Sequence, residues 1–289
     1  MWFLYALITT LAWGVADLFY KKGADEREKY SHLKTSMAVG FVMGLHAIGM
    51  LIFGDLHYDF RNILIYLPVS LMYMLSMTVG YFGLKYLELS ISSPIQNASG
   101  AVVCILCLVI LRQAMDTLSA VAVVLICIGV ILLGVFERAR EKEYELEHDR
   151  KYKIGFVAFF MPILYCVLDS LGTFFDAWYL DDVTATPLVN VTEETFEDVA
   201  NVSYELLFLL TAIVLFVYVF IIKKEKLFRN LRELKGASVR SPAAARVGAA
   251  VFETAGQFTY VYAMSGNGVV AAPMWPPTAS SACCCPAFC

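Results

Sequence analysis

The sequence predicts an all-α polytopic membrane protein in which a five-helix unit occurs twice, the second time inverted. Hydrophobic residues make up 59% of the 289 positions, and charged residues only 17%. Several apolar runs reach the roughly 20 residues that a membrane-spanning helix needs. A large soluble helical protein would need a polar face at a 3.6-residue period, whereas residues 101–111 are apolar on every side.

Eight complete spans are predicted along the chain, followed by the start of a ninth near Val269. The first span is expected to be retained rather than cleaved as a signal peptide. It lacks a basic amino-terminal region and carries Asp17 ahead of Lys21 and Lys22. The spans cover residues 2–20, 36–54, 63–85, 92–111, 118–136, 154–178, 204–222 and 243–265.

The distribution of positive charge predicts an external amino terminus. The loops that follow the odd-numbered spans carry almost all of the 22 lysines and arginines. Basic loops stay on the cytoplasmic side of a membrane. The loop at 181–203 is rich in acidic residues and has no lysine or arginine, so it is expected outside the cell.

The two halves of the chain carry matching patterns. Asp17 closes an apolar stretch, and Asp169 closes a similar stretch 152 residues later. Phe82 recurs as Phe258 at a larger offset of 176 residues. The difference is about the length of the acidic loop at 181–203, which we interpret as an insertion in the second half. Coincidence in apolar sequence is the alternative for any one match.

An odd number of spans per unit inverts the second unit in the membrane, an architecture that recurs in secondary transporters. The predicted domains are a first repeat at 1–137, a cytoplasmic linker at 138–153, a second repeat at 154–274 and an atypical tail at 275–289. The second repeat holds only three spans and a stub where five are expected. A truncated or frame-shifted terminus accounts for the Ser-, Ala-, Cys- and Pro-rich tail.

Three segments resemble the drug/metabolite transporter superfamily, in particular its EamA-type carriers. They are the Ala-Trp-Gly step at 12–14, the run Tyr-Leu-Glu-Leu-Ser-Ile-Ser-Ser-Pro at 86–94, and the glycine-bearing helix at 125–134. The resemblance covers residues 2–274 and implies a multi-pass carrier of the cell (plasma) membrane. Such carriers commonly place a glutamate at the end of the fourth helix. This chain departs from that pattern at 111–114, so a role for that glutamate cannot be transferred.

Glu253 is the strongest single candidate for binding a substrate or a proton. It lies near the centre of the eighth span, and the equivalent position in the first repeat is Met77. The carboxylate therefore occurs in only one repeat, as expected of a site that binds an asymmetric substrate. Gln257 and Tyr260 follow at i+4 and i+7 and share its helix face. A buried acid held by an interhelical hydrogen bond is the alternative. His46 is expected to be a packing residue.

Further candidates are the two matched aspartates and three neighbouring side chains. Asp17 and Asp169 are interpreted as gate or half-site residues, because a carboxylate in lipid is costly and marks a pathway. Their alternative is a role in helix packing. Trp13, one turn from Asp17, could line the cavity or simply fill space. Gln96 and Asn97, at the start of the fourth span, could bind a polar solute or join helices.

These observations predict a secondary transporter that moves a small metabolite or drug-like solute by alternating access, with proton coupling as a hypothesis. The rivals are a non-transporting receptor or assembly protein and an intramembrane aspartyl hydrolase. The hydrolase is disfavoured, because helix rise places the matched aspartates over about 13 Å apart along the membrane normal, and no enzymatic activity is expected. We expect a solute and the lipid bilayer as partners, no nucleic acid, no metal and no cofactor; a homodimer is left open.

Overall fold

The computed structural model describes residues 1–24, 28–83, 98–112, 156–225 and 242–271, together with a discontinuous part of 117–132. All regular secondary structure in these residues is helical, which confirms the all-α prediction. The helices are α1 Trp2–Gly23, α2 Ser31–Phe53, α3 Arg61–Ile65, α4 Leu67–Gly83, α5 Ser99–Leu106, α6 Phe156–Tyr179, α7 Phe196–Phe216 and α8 Pro242–Ala271. Short π-helical segments, Cys107–Leu111 and Val217–Ile222, extend α5 and α7.

Four helical segments are long and apolar enough to cross a membrane: Trp2–Gly23, Ser31–Phe53, Phe160–Tyr179 and Phe196–Ile222. Two shorter apolar helices, Leu67–Phe82 and Ser99–Leu111, accompany them. The chain is therefore a multi-pass membrane protein, while the count of eight spans and the five-plus-five repeat stay predictions. Large apolar side chains point outward along these helices, as a lipid-facing surface requires; Leu45, Ile52 and Val214 are examples.

The helices pack as three antiparallel pairs: α1 against α8, α2 against α7, and α4 against α6. The interior between them is rich in tyrosine, and Tyr66, Tyr204 and Tyr260 are among the largest fully buried side chains. This arrangement reverses that of a soluble protein. Lipid solvates the apolar faces, so polar groups turn inward to find hydrogen-bond partners.

Glycines bring two of these helix pairs into close contact. A Cβ atom on Gly40 of α2 would lie 2.3 Å from the Phe208 carbonyl oxygen of α7. A Cβ on Gly256 of α8 would lie 2.4 Å from Trp13 Cδ1 of α1. The missing side chains let backbone and ring occupy these positions.

Two predicted boundaries differ from the structure. The predicted span at 63–85 is interrupted at Tyr66, which separates α3 from α4. The external loop was predicted to reach residue 203, but α7 already begins at Phe196. Residues 199–203 are buried, and the acidic Glu197 and Asp198 lie in the first helical turn, where the helix dipole favours negative charge.

Candidate functional site

Four helices each present a set of polar or aromatic side chains at spacing i, i+4 and i+7, which places the members of each set on one helix face. Nine of the twelve are buried, and Trp13, Asp17 and Asp169 are half-buried. The sets are Trp13, Asp17 and Tyr20 on α1; Tyr66, Ser70 and Tyr73 at α4; Asp169, Thr173 and Asp176 on α6; and Glu253, Gln257 and Tyr260 on α8.

Glu253 lies in the protein interior and is bonded across the two halves of the chain. The Tyr20 hydroxyl donates a hydrogen bond of 3.0 Å to Glu253 Oε2. The ring of Tyr20 packs against that of Tyr81, with 4.6 Å between centroids. Glu253 is only 7% exposed, so the carboxylate is sheltered by aromatic rings from two other helices.

A chain of hydroxyl groups joins three helices beside this carboxylate. The Tyr73 hydroxyl lies 2.7 Å from the Tyr260 hydroxyl and 2.8 Å from Thr173 Oγ1. Tyr73 therefore connects α4 to both α6 and α8. All three side chains are buried, so these bonds form away from bulk water.

Asp176 is a buried carboxylate that the sequence analysis did not select. It has no exposed surface, and the Tyr66 hydroxyl donates a hydrogen bond to its Oδ1 atom. Its Oδ2 atom has no hydrogen-bond partner among the described residues. The signal was present in the sequence, because Asp176 follows Asp169 at i+7 just as Tyr260 follows Glu253.

The matched aspartates both lie near Glu253. Asp17 and Asp169 are each close enough to interact electrostatically with the Glu253 carboxylate. Asp169 accepts hydrogen bonds from the Ser99 and Tyr165 side chains. The fold thus gathers carboxylates from α1, α6 and α8 into one region of the interior.

Two more predicted residues line the same region. The Trp13 ring covers Gly256 and lies 5.3 Å from the Tyr260 ring. The Gln257 side chain is 2% exposed, and its Nε2 atom has no hydrogen-bond partner among the described residues. The other two predicted residues, Gln96 and Asn97, lie outside the described residues.

His46 has a more specific environment than the packing role that we predicted. Its Nδ1 atom lies 2.8 Å from Glu205 Oε2 and 2.9 Å from Oε1. Glu205 has no exposed surface. The pair joins α2 to α7 apart from the central region, and only the antiparallel packing of those helices reveals it.

Charged side chains close the basic end of the helices, where α1 ends and α8 begins. Glu28 forms ion pairs with both Lys34 and Arg246, and Lys34 lies 3.5 Å from Glu225. Arg246 also donates a 3.0 Å hydrogen bond to the Gly23 carbonyl. Burial by itself would raise the pKa of Glu28, but hydrogen bonds and positive charge from Lys34 and Arg246 hold it below its ordinary value. We call Glu28, Lys34, Glu225 and Arg246 the ion cluster.

The opposite end of the helices is closed by the loop at 180–195. The Asn62 side chain donates to the Val189 carbonyl and accepts from the Val189 amide, both at 2.9 Å. Leu180 and Leu188 are buried beneath this loop. A cavity with room for about one water molecule remains between α2, α4 and α7 beside Tyr81. The central region is therefore shielded from both ends.

The model of the EamA-like transporter family matches residues 1–135. No curated protein matches the chain. Within the described part of the chain, no group of three or more His, Cys, Asp or Glu residues is arranged to hold a metal ion.

Proposed function

We propose that the chain is a secondary carrier of the EamA-like transporter family, whose model matches residues 1–135, and that it moves a small metabolite or drug-like solute by alternating access. The observation that carries the proposal is the buried Glu253, bonded to Tyr20 across the two halves. A carboxylate inside a membrane protein is costly and marks a substrate or ion pathway. Gln257 and Tyr260 extend the same polar face.

The helix pairing supports an inverted repeat. Exchanging the halves carries α1 to α6 and α4 to α8, so the pair α1–α8 becomes the pair α6–α4, and α2–α7 maps onto itself. The registers agree as well: a Cβ on Gly23 would lie 3.6 Å from the Pro242 carbonyl oxygen. The offsets of 152 and 176 residues map Gly23 to Phe175 and Pro242 to Tyr66. Tyr66 bonds to Asp176, the residue after Phe175, so the corresponding contact occurs in the pair α4–α6.

Alternating access would proceed by rocking of the two halves around the central region. The ion cluster holds the basic end closed, and the contact between Asn62 and Val189 holds the opposite end closed. The bonds from Tyr20 to Glu253 and from Tyr73 to Tyr260 also cross between the halves. Opening either end requires some of these contacts to break while the others persist.

Glu253 is the proposed site of proton coupling. Its carboxylate interacts electrostatically with Asp17 and Asp169, so all three acids resist being ionised together. Loss of a proton on one side and gain on the other would change that repulsion. Glu253 is thus placed to link proton movement to rearrangement of α1, α6 and α8.

The proposed orientation places the amino terminus and the loop at 180–195 outside the cell membrane. Thr184→Cys is then expected to react with a membrane-impermeant maleimide in intact cells, and Lys29→Cys only after permeabilisation. Both positions lie outside the helices. The unsubstituted chain measures the background from native cysteines, and the reverse labelling pattern would invert the orientation.

Reconstitution into liposomes tests the carrier function. With pH 6 inside and pH 7.5 outside, a panel of radiolabelled amino acids, amines and nucleosides is expected to include one whose movement is saturable and protein-dependent. Glu253→Gln should reduce the pH-driven movement more than tenfold, and the exposed-loop control Glu193→Gln should leave it unchanged. Movement that ignores both the gradient and Glu253→Gln would exclude proton coupling. Absence of any saturable movement would contradict the carrier and favour a receptor or assembly protein that presents its acidic loop.

A further inference from the structure

We propose that the solute is an organic ammonium cation and that Asp176 is its anchor beneath the loop at 180–195. The inference rests on the proposed carrier function and names the class of its solute. It draws on three observations: the sign of the charge in the interior, the unpartnered oxygen of Asp176, and the aromatic rings around it.

The inward-facing sets of α6 and α8 contribute Asp169, Asp176 and Glu253 to the interior, and neither set contains a lysine or arginine. The lysines and arginines of the described chain lie in loops or near helix ends. Those at the basic end that are buried are already paired within the ion cluster. An anionic solute would meet like charge here, whereas a cation would offset it.

Asp176 is the acid best prepared for a cation. It is fully buried, the Tyr66 hydroxyl donates to Oδ1, and the Tyr73 and Tyr260 hydroxyls lie near the carboxylate. Oδ2 still has no hydrogen bond of good geometry among the described residues. A buried oxygen without a hydrogen bond has lost its water and gained nothing in exchange, so it destabilises the fold. An ammonium group that donates to Oδ2 would remove this cost and form a charge-assisted hydrogen bond.

Three tyrosine side chains reach the carboxylate through their hydroxyl groups. Tyr66, Tyr73 and Tyr260 all interact with Asp176 in this way. Tyr204 adds an edge-on contact to Tyr73, with 5.7 Å between ring centroids. If the hydroxyls part, the rings of these tyrosines beside a carboxylate would recognise an ammonium group through cation–π attraction. The same rings would accept an apolar body on the solute.

Separation of the Tyr73 and Tyr260 hydroxyls would open the interior beside Asp176. Tyr73 lies on the first half of the chain and Tyr260 on the second, and their hydroxyls are 2.7 Å apart. Asp176 lies three residues before the end of α6, so its nearest approach to solvent is below the buried Leu180. Rocking that parts the two tyrosines would expose Oδ2 toward the loop side.

Binding in a nonionic detergent tests this inference without requiring transport. 2-Phenylethylammonium, which is charged at neutral pH and has three N–H donors, is compared at pH 7 by calorimetry and thermal shift with neutral 2-phenylethanol and anionic phenylacetate. The cation is expected to bind saturably and to raise the unfolding temperature, and the other two are not. Asp176→Asn should weaken cation binding at least tenfold, and Asp182→Asn, in the exposed loop, should leave it unchanged.

A second variant keeps the test decisive if Asp176→Asn does not fold. Tyr66→Phe retains the carboxylate but removes the Tyr66 donor from Oδ1, so it should bind 2-phenylethylammonium several-fold more tightly. The assignment would be overturned by unchanged or weaker cation binding in Tyr66→Phe, or by full binding in a folded Asp176→Asn. Binding of phenylacetate as tight as that of the cation, or no cation binding at all, would overturn it as well. Saturable transport of a neutral or anionic solute would overturn it while leaving the carrier function intact. Cation binding without any transport would instead contradict the carrier.

Discussion

The Tyr20 hydroxyl bonds to Glu253 at 3.0 Å although the two residues are 233 positions apart in the chain. The bond joins α1, the first helix of the first half, to α8, the third helix of the second half. Both side chains are buried, so the bond belongs to the helix interface rather than to the surface. It is one of many polar contacts that directly couple the two halves, among them Tyr66–Asp176 and His46–Glu205.

Replacing Tyr20 by Phe removes this bond and leaves Glu253 buried with one donor fewer. We expect the free energy of unfolding in mixed micelles to fall by about 1–3 kcal/mol. A double-mutant cycle of Tyr20→Phe with Glu253→Leu should show a coupling energy of about 1 kcal/mol, because the two changes remove the same interaction. Additive effects would show that the bond contributes nothing to stability.

Gly40→Ala is expected to destabilise the contact between α2 and α7. The new Cβ would lie 2.3 Å from the Phe208 carbonyl oxygen, a backbone atom that moves only if the helices separate. Overpacking of this kind costs about 1–3 kcal/mol. Gly49→Ala in the same helix is the matched control, because nothing lies within 4 Å of its Cβ position. Thermal unfolding that ranks the two variants equally would refute the close approach.

His46→Leu is expected to leave Glu205 buried without its partner. Because His46 is 33% exposed and only Glu205 is fully buried, loss of the histidine should cost about 1–3 kcal/mol, whereas replacing both members by apolar residues is often neutral. The double variant His46→Leu/Glu205→Leu should therefore unfold at a higher temperature than His46→Leu alone. If it were the less stable of the two, the pair would not be the source of the effect.

Stability should depend on pH through Glu28 in the ion cluster. Its pKa is lowered in the folded protein, so its contribution is fully present above the ordinary value of 4.5 and is lost as the pH falls through the lower folded value. The unfolding temperature should therefore decline as pH is lowered below 4.5 in the native protein. This decline should be smaller in Glu28→Gln, which at neutral pH is already less stable by about 3 kcal/mol. Glu193→Gln, in the exposed loop, should keep the native profile, and an identical profile in Glu28→Gln would contradict the assignment.

Several features of the site could be predicted because they depend on helix geometry alone. Glu253, Gln257 and Tyr260 share a face at spacing i, i+4 and i+7, and the structure places all three in the interior. Their roles in binding stay predictions. The same spacing relates Asp176 to Asp169, so helix geometry alone was enough to identify Asp176 as a candidate.

The partners of these residues could not be predicted. The neighbours of Glu205, His46 and Asp176 come from helices that are distant in the chain, and apolar spans carry little information about which pairs with which. Residues 199–203 were assigned to a loop because of the acidic residues before them, yet they form a buried helical turn. Their burial depends on packing that local composition does not encode.

The sequence by itself determined that this chain is helical and membrane-embedded, since hydrophobicity and the 3.6-residue period act locally along each span. It also determined which faces carry polar groups. The contacts of Tyr20 with Glu253 and of Tyr66 with Asp176 emerge only from the tertiary structure, as does the lack of a hydrogen-bond partner for Asp176 Oδ2 among the described residues. Those outcomes depend on antiparallel packing between the halves, where glycines set the distance and each buried polar group takes whatever partner the facing helix offers.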